Sequence, residues 1–79
     1  MNIQKVIDYL KPIKIVNEKN IDITGICYNS IIAKPGDIFV CLVGEHTDGH
    51  TWAKDAFQKG VKVFLCEKQL DIPAMQIIV

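Results

Sequence analysis

The side chains best suited to chemistry lie in residues 44–50, GEHTDGH, which hold two imidazoles, two carboxylates and one hydroxyl. The stretch follows the apolar run DIFVCLV and precedes an amphipathic segment, so it connects a buried strand to a helix. Ligands of open α/β sheets bind at the carboxyl ends of parallel strands, and helix N-termini favour anions. The stretch is therefore a candidate ligand-binding loop. The alternative interpretation is a solvated turn.

A metal site is a second interpretation of this loop. His46 and His50 have an H-x-x-x-H spacing that Glu45 or Asp48 could complete. However, His46 precedes the predicted helix cap at Asp48, so the two imidazoles need not share a face. We therefore expect no metal here and assign His50 to support of the loop or of the first helical turn.

Known catalytic arrangements are missing from the sequence. It offers no paired carboxylates, no Ser-His-Asp set and no activated cysteine. It also contains neither G-x-x-x-x-G-K-[ST] nor G-x-G-x-x-G, the loops that hold nucleotide phosphates. The chain is therefore expected to have no catalytic residues of its own and no means of handling ATP.

The composition is that of an ordinary globular domain, with 49% hydrophobic and 23% charged residues in 79. A formal net charge of +0 offers no field that would attract nucleic acid or an anionic membrane. Three cysteines without a C-x-x-C pair indicate reduced core thiols in a cytoplasmic protein. The apolar ending, AMQIIV, suggests that residues 1–79 are one domain cut from a longer protein.

Hydrophobic periodicity predicts an α/β fold, a small domain with a βαβ unit and a mostly parallel sheet flanked by helices. The expected helices span residues 2–10, capped by Asn2, and 49–59, capped by Asp48 and ended by Gly60. The expected strands are residues 13–16, 21–28, 37–43, 61–67 and 75–79, with a type II turn at Pro35-Gly36.

Two further features have competing interpretations. Trp52 shares a helical stripe with Ala53, Ala56 and Phe57, which favours a core position over a stacking platform. The segment YNSI, residues 28–31, ends a strand, where Asn and Ser commonly form local turns.

Residues 28–67, YNSIIAKPGDIFVCLVGEHTDGHTWAKDAFQKGVKVFLCEK, resemble the N-terminal domain of the Mur ligases. The family pattern combines [DN]-S-[RK], a P-G-D-[IL]-F-V strand, G-x-x-x-D-G-H and a helix that ends at glycine. The resemblance is greatest to the MurE members, which add the third residue to UDP-N-acetylmuramoyl-L-alanyl-D-glutamate in peptidoglycan biosynthesis. MurF, another Mur-like ligase and a free-standing α/β interaction module are the alternatives.

The resemblance implies a cytoplasmic, monomeric ligase of three domains. The central and C-terminal domains, which this chain lacks, would bind ATP, Mg²⁺ and the incoming lysine or diaminopimelate. The N-terminal domain would hold the UDP end of the UDP-N-acetylmuramoyl-dipeptide. Carried over position by position, the family's UDP contacts correspond to Tyr28, Ser30, Glu45, His46 and Thr47. Two features depart from the pattern: Ile31 replaces a basic residue, and Glu45 places a carboxylate beside an expected diphosphate.

Overall fold

The computed structural model describes residues 1–41 and 49–79. Two α-helices, two short 3₁₀ segments and five strands lie in these ranges. In chain order they are α1 (Ile3–Leu10), β1 (Lys14–Val16), β2 (Gly25–Cys27), the first 3₁₀ segment (Ser30–Ile32), β3 (Asp37–Cys41), the second 3₁₀ segment (Gly49–Trp52), α2 (Ala53–Gln58), β4 (Val63–Cys66) and β5 (Met75–Ile78). Neither described helix has the length and apolar character needed to cross a membrane.

The five strands form one sheet in the order β1-β5-β4-β3-β2. Strands β2, β3, β4 and β5 are parallel, and β1 pairs antiparallel with β5. Strand β3, helix α2 and strand β4 make a βαβ unit with β3 and β4 adjacent. The predicted α/β class, the mostly parallel sheet and the βαβ unit are therefore confirmed.

Helix α1 begins as the sequence predicts. The Asn2 side chain accepts a 2.8 Å hydrogen bond from the Gln4 amide, which satisfies one of the amides that a helix start leaves unpaired. At the other end Lys11 takes a left-handed conformation with φ of 49°, just before Pro12. Cap and proline together fix the length of the helix.

The strand predicted over residues 21–28 is shorter in the structure, and only Gly25–Cys27 pair with β3. The preceding residues pair instead with the beginning of the chain. The Ile23 amide donates to the Met1 carbonyl, and the Ile3 amide donates to the Ile21 carbonyl. Alternating apolar residues describe an extended segment, but they do not reveal which neighbour it pairs with.

The turn at Pro35-Gly36 exists, but its predicted type is wrong. The Asp37 amide donates to the Lys34 carbonyl at 3.0 Å, which closes a four-residue turn. Type II geometry requires a positive φ at the third residue, and Gly36 does not have one. Glycine is needed here for space, because a Cβ atom would come within 2.1 Å of Thr24 Oγ1.

Helix α2 follows a 3₁₀ segment rather than beginning at residue 49. The predicted cap, Asp48, lies outside the described residues. Gly60 follows the helix with φ of 98°, which confirms the predicted ending. Trp52, expected in the core, is 52% exposed. A 3₁₀ segment advances about 120° per residue instead of about 100°, so Trp52 is rotated off the face formed by Ala53 and Ala56.

Alternate residues of the central strands fill two apolar clusters, one on each face of the sheet. The cluster beneath α2 includes the Phe39–Phe64 ring pair, whose centroids are 5.9 Å apart, and the predicted core cysteines, all of which are buried. The cluster beneath α1 is aliphatic, apart from Met75. Its buried members are Ile3, Ile23, Ile38, Val63, Met75 and Ile77.

Candidate functional site

The carboxyl ends of β2, β3 and β4 lie at one edge of the sheet, because the three strands are parallel. Strand β2 leads into residues 28–32, and β3 leads into residues 42–48. Tyr28 and Ser30 therefore lie at the edge where α/β folds hold ligands. The other predicted substrate residues, Glu45, His46 and Thr47, lie outside the described residues.

Tyr28 and Ser30 differ sharply in their exposure. The Tyr28 side chain is 84% exposed, so its ring is available to a ligand. Ser30 is 5% exposed and opens the first 3₁₀ segment. Between them, the Asn29 side chain accepts a 2.9 Å hydrogen bond from the Ile31 amide. The local turn predicted for YNSI is therefore confirmed at Asn29. Tyr28 and Ser30 are the residues directly before and after Asn29.

Two charged residues, Asp55 of α2 and its C-cap residue Lys59, lie beside Ser30. Lys59 Nζ donates a hydrogen bond to the Ser30 carbonyl and lies 3.3 Å from Asp55 Oδ2. The Ser30 side chain also acts on the Asp55 carboxyl, whose pKa it lowers. Neither Asp55 nor Lys59 can be recognised as part of the site from the sequence, because their i,i+4 spacing indicates only a surface ion pair.

The Ser30 hydrogen bond is the main reason that the pKa of Asp55 is lowered from 3.8, with the Lys59 hydrogen bond second and partial desolvation opposing both. A lowered folded-state pKa means that the contribution of this carboxylate to stability is present at neutral pH. That contribution is lost as the pH falls through the folded-state pKa, below 3.8.

Replacing Ser30 by alanine is expected to raise the pKa of Asp55 towards its ordinary value, because the hydroxyl donor is lost. NMR titration of the Asp55 side-chain carboxyl carbon between pH 2 and pH 7 measures this. Backbone chemical shifts of α1, which packs in the cluster on the other face of the sheet, are the internal reference and should be alike in both proteins. An Asp55 pKa that is unchanged in Ser30→Ala would contradict the assigned hydrogen bond.

His50 connects the beginning of the second 3₁₀ segment to the end of β4. Its side chain is buried, and Nε2 accepts a 3.1 Å hydrogen bond from the Glu67 amide. An accepting Nε2 carries no proton, so in this arrangement the ring proton is on Nδ1. His50 was predicted to support the loop or the first helical turn; the contact seen here is instead with the residue that follows β4.

Two buried thiols lie beneath the same edge. Cys41 and Cys66 are register partners at the ends of β3 and β4, and neither is exposed. A hydrogen bond with Cys41 lowers the pKa of the Cys66 thiol, against the opposing effect of burial. Cys41 is the last described residue before the predicted substrate residues Glu45, His46 and Thr47.

Comparison with known proteins identifies the family. Residues 22–79 match the family model described as "Mur ligase family, catalytic domain". This match covers most of the chain, and it includes both Ser30 and the α2 residues that hold it. The chain therefore belongs to the Mur ligase family.

Two curated relatives illustrate the similarity, and both are named UDP-N-acetylmuramoyl-L-alanyl-D-glutamate--2,6-diaminopimelate ligase. The protein of Clostridium botulinum is 46% identical over 56 residues, which cover 71% of this chain and 12% of the relative. The protein of Bacillus licheniformis is 34% identical over 80 residues, which cover 100% of this chain and 16% of the relative. The chain thus spans less than a fifth of the length of either relative.

Solved structures support the fold. A crystal structure of MurF from Acinetobacter baumannii superposes with a TM-score of 0.84 at 24% sequence identity. The superposition covers 96% of this chain and 17% of the MurF chain. The expected Mur ligase N-terminal fold is therefore confirmed.

Proposed function

We propose that this chain is the domain that binds the UDP end of UDP-N-acetylmuramoyl-L-alanyl-D-glutamate within a longer, cytoplasmic ligase of the MurE type. The relatives' names supply the substrate and 2,6-diaminopimelate as the amino acid that is added. The observation that carries the proposal is the sheet edge, where an exposed Tyr28 and an anchored Ser30 lie beside the end of β3.

We further propose that ATP and Mg²⁺ are bound by other domains of the longer protein. Within residues 1–41 and 49–79, no group of three His, Cys, Asp or Glu side chains is placed to hold a metal ion. The sequence also contains no phosphate-binding loop of the G-x-x-x-x-G-K-[ST] type. Both observations support a role in substrate binding for this domain.

The bound nucleotide would meet two kinds of surface at this edge. Tyr28 offers an aromatic face, on which a base can stack. The segment at Ser30 is polar and fixed in position, because Lys59 holds the Ser30 carbonyl. Glu45, His46 and Thr47 complete the proposed set of contacts from the neighbouring loop. Ile31, where the family has a basic residue, is exposed here and brings no positive charge.

Binding of UDP by the chain is the direct test. In a ¹H–¹⁵N NMR titration with UDP, shift changes should gather at residues 28–31 and 44–48. In the full-length ligase, Ser30→Ala is expected to raise KM for the UDP substrate by roughly two- to tenfold, the cost of one lost hydrogen bond. The KM for ATP should stay unchanged.

Tyr9→Ala is the control for these measurements, because Tyr9 is an exposed side chain on α1, away from the edge. It should leave KM and the titration unchanged. An absence of shift changes at millimolar UDP, or changes that gather elsewhere, would refute the proposed binding role.

A further inference from the structure

The end of α2 contacts the first 3₁₀ segment through Lys59, the C-cap residue of α2. Lys59 and Ser30 are 29 residues apart in sequence, yet the lysine ammonium donates to the serine carbonyl. The contact therefore links the end of α2 to the segment that follows β2 at the sheet edge.

The chemistry of the contact is suited to fixing one residue in position. Lys59 Nζ donates to the backbone carbonyl of Ser30 and pairs with Asp55 at 3.3 Å. The side chain of Ser30 in turn lowers the pKa of the Asp55 carboxyl. Lys59 thus holds Ser30 through its carbonyl, and Asp55 restrains Lys59. Neither charge is buried within the domain, so the arrangement is a poor source of stability, since exposed ion pairs contribute little.

We propose that Asp55 and Lys59 are positioning residues, which hold Ser30 in the orientation that binds the UDP moiety. This inference rests on the proposed function and adds to it two residues that contact Ser30 rather than the substrate. It explains why a buried serine at the sheet edge is connected to charges on the surface of a helix. It also gives α2 a role beyond covering one face of the sheet.

The test compares UDP affinity and thermal stability in the same variants. Asp55→Ala and Lys59→Ala are each expected to raise the UDP dissociation constant by roughly two- to tenfold, with the melting temperature close to that of the unchanged chain. The conservative variants Asp55→Glu and Lys59→Arg should recover most of the affinity. The double alanine variant should bind UDP no more weakly than the weaker-binding single variant, because Asp55 and Lys59 both act through Ser30.

Asp8→Ala supplies the matched control. Asp8 accepts a hydrogen bond from Gln4 at the same i,i+4 spacing, but on α1. This variant should leave UDP affinity unchanged. If the unchanged chain binds UDP while Asp55→Ala and Lys59→Ala bind it equally well, the positioning role is refuted and the proposed function stands. If the unchanged chain does not bind UDP, both proposals fail. If one of the two alanine variants unfolds, the UDP affinity of the other still tests the positioning role.

Discussion

Replacing Phe64 by alanine is expected to lower the free energy of unfolding by about 3–5 kcal/mol, the usual cost of removing a fully buried phenyl ring. The Phe64 ring is completely buried and packs at 5.9 Å between centroids against Phe39, its register partner on β3. A domain of this size has a core that rarely supplies more than about 3–5 kcal/mol. Most of the variant should therefore be unfolded at 25 °C.

Urea denaturation followed by circular dichroism measures this effect, and two variants bracket it. Phe64→Leu keeps most of the apolar volume and should cost less than about 1.5 kcal/mol. Tyr9→Ala removes an aromatic ring that is 86% exposed and should change stability by less than about 0.5 kcal/mol. A Phe64→Ala midpoint that matches the Tyr9→Ala midpoint would show that the two rings do not form the centre of the core.

Replacing Gln76 by leucine should also destabilise the domain strongly, by about 2–4 kcal/mol, because several part-buried backbone groups would lose a polar partner at once. Gln76 is completely buried in β5. Its Oε1 accepts from the Leu70 amide at 2.6 Å, and its Nε2 donates to the carbonyls of Leu70 and Ile72, each at 3.1 Å. The side chain thus organises the connection from β4 to β5.

Denaturation of Gln76→Leu should be compared with that of Gln58→Leu, in which an exposed glutamine of α2 receives the same replacement. We expect only the buried position to lose stability. Hydrogen exchange of the Leu70 amide gives a local measurement, since its protection should disappear in Gln76→Leu. Retained protection would contradict the role given to Gln76.

The elements that sequence predicted well are those fixed by short-range chemistry. Asn2 caps α1 through an amide two residues away, and Gly60 ends α2 through its own backbone conformation. The apolar run at β3 marks a strand that is covered on both faces. Each of these signals lies within a few residues of the structure that it specifies, so no knowledge of the tertiary fold was needed.

The features that sequence did not reveal depend on distant contacts or on local helix geometry. The contact between Lys59 and Ser30 joins residues 29 positions apart. The i,i+4 spacing of Asp55 and Lys59 does not reveal that Ser30 is a third partner. Trp52 was assigned to the core because α-helical spacing was assumed where a 3₁₀ segment forms. Gln76 could have been noticed as an amide inside an apolar strand, although its partners in the connection could not.

The antiparallel edge strand has a consequence for how this domain opens. Strand β1 pairs with β5 across about sixty intervening residues, whereas β4 and β5 are close in sequence. Closing so long a loop costs more chain entropy than closing a short one, so this ladder should form late in folding. We therefore expect the α1–β1 arm to detach and reattach as a cooperative unit while the parallel strands remain assembled.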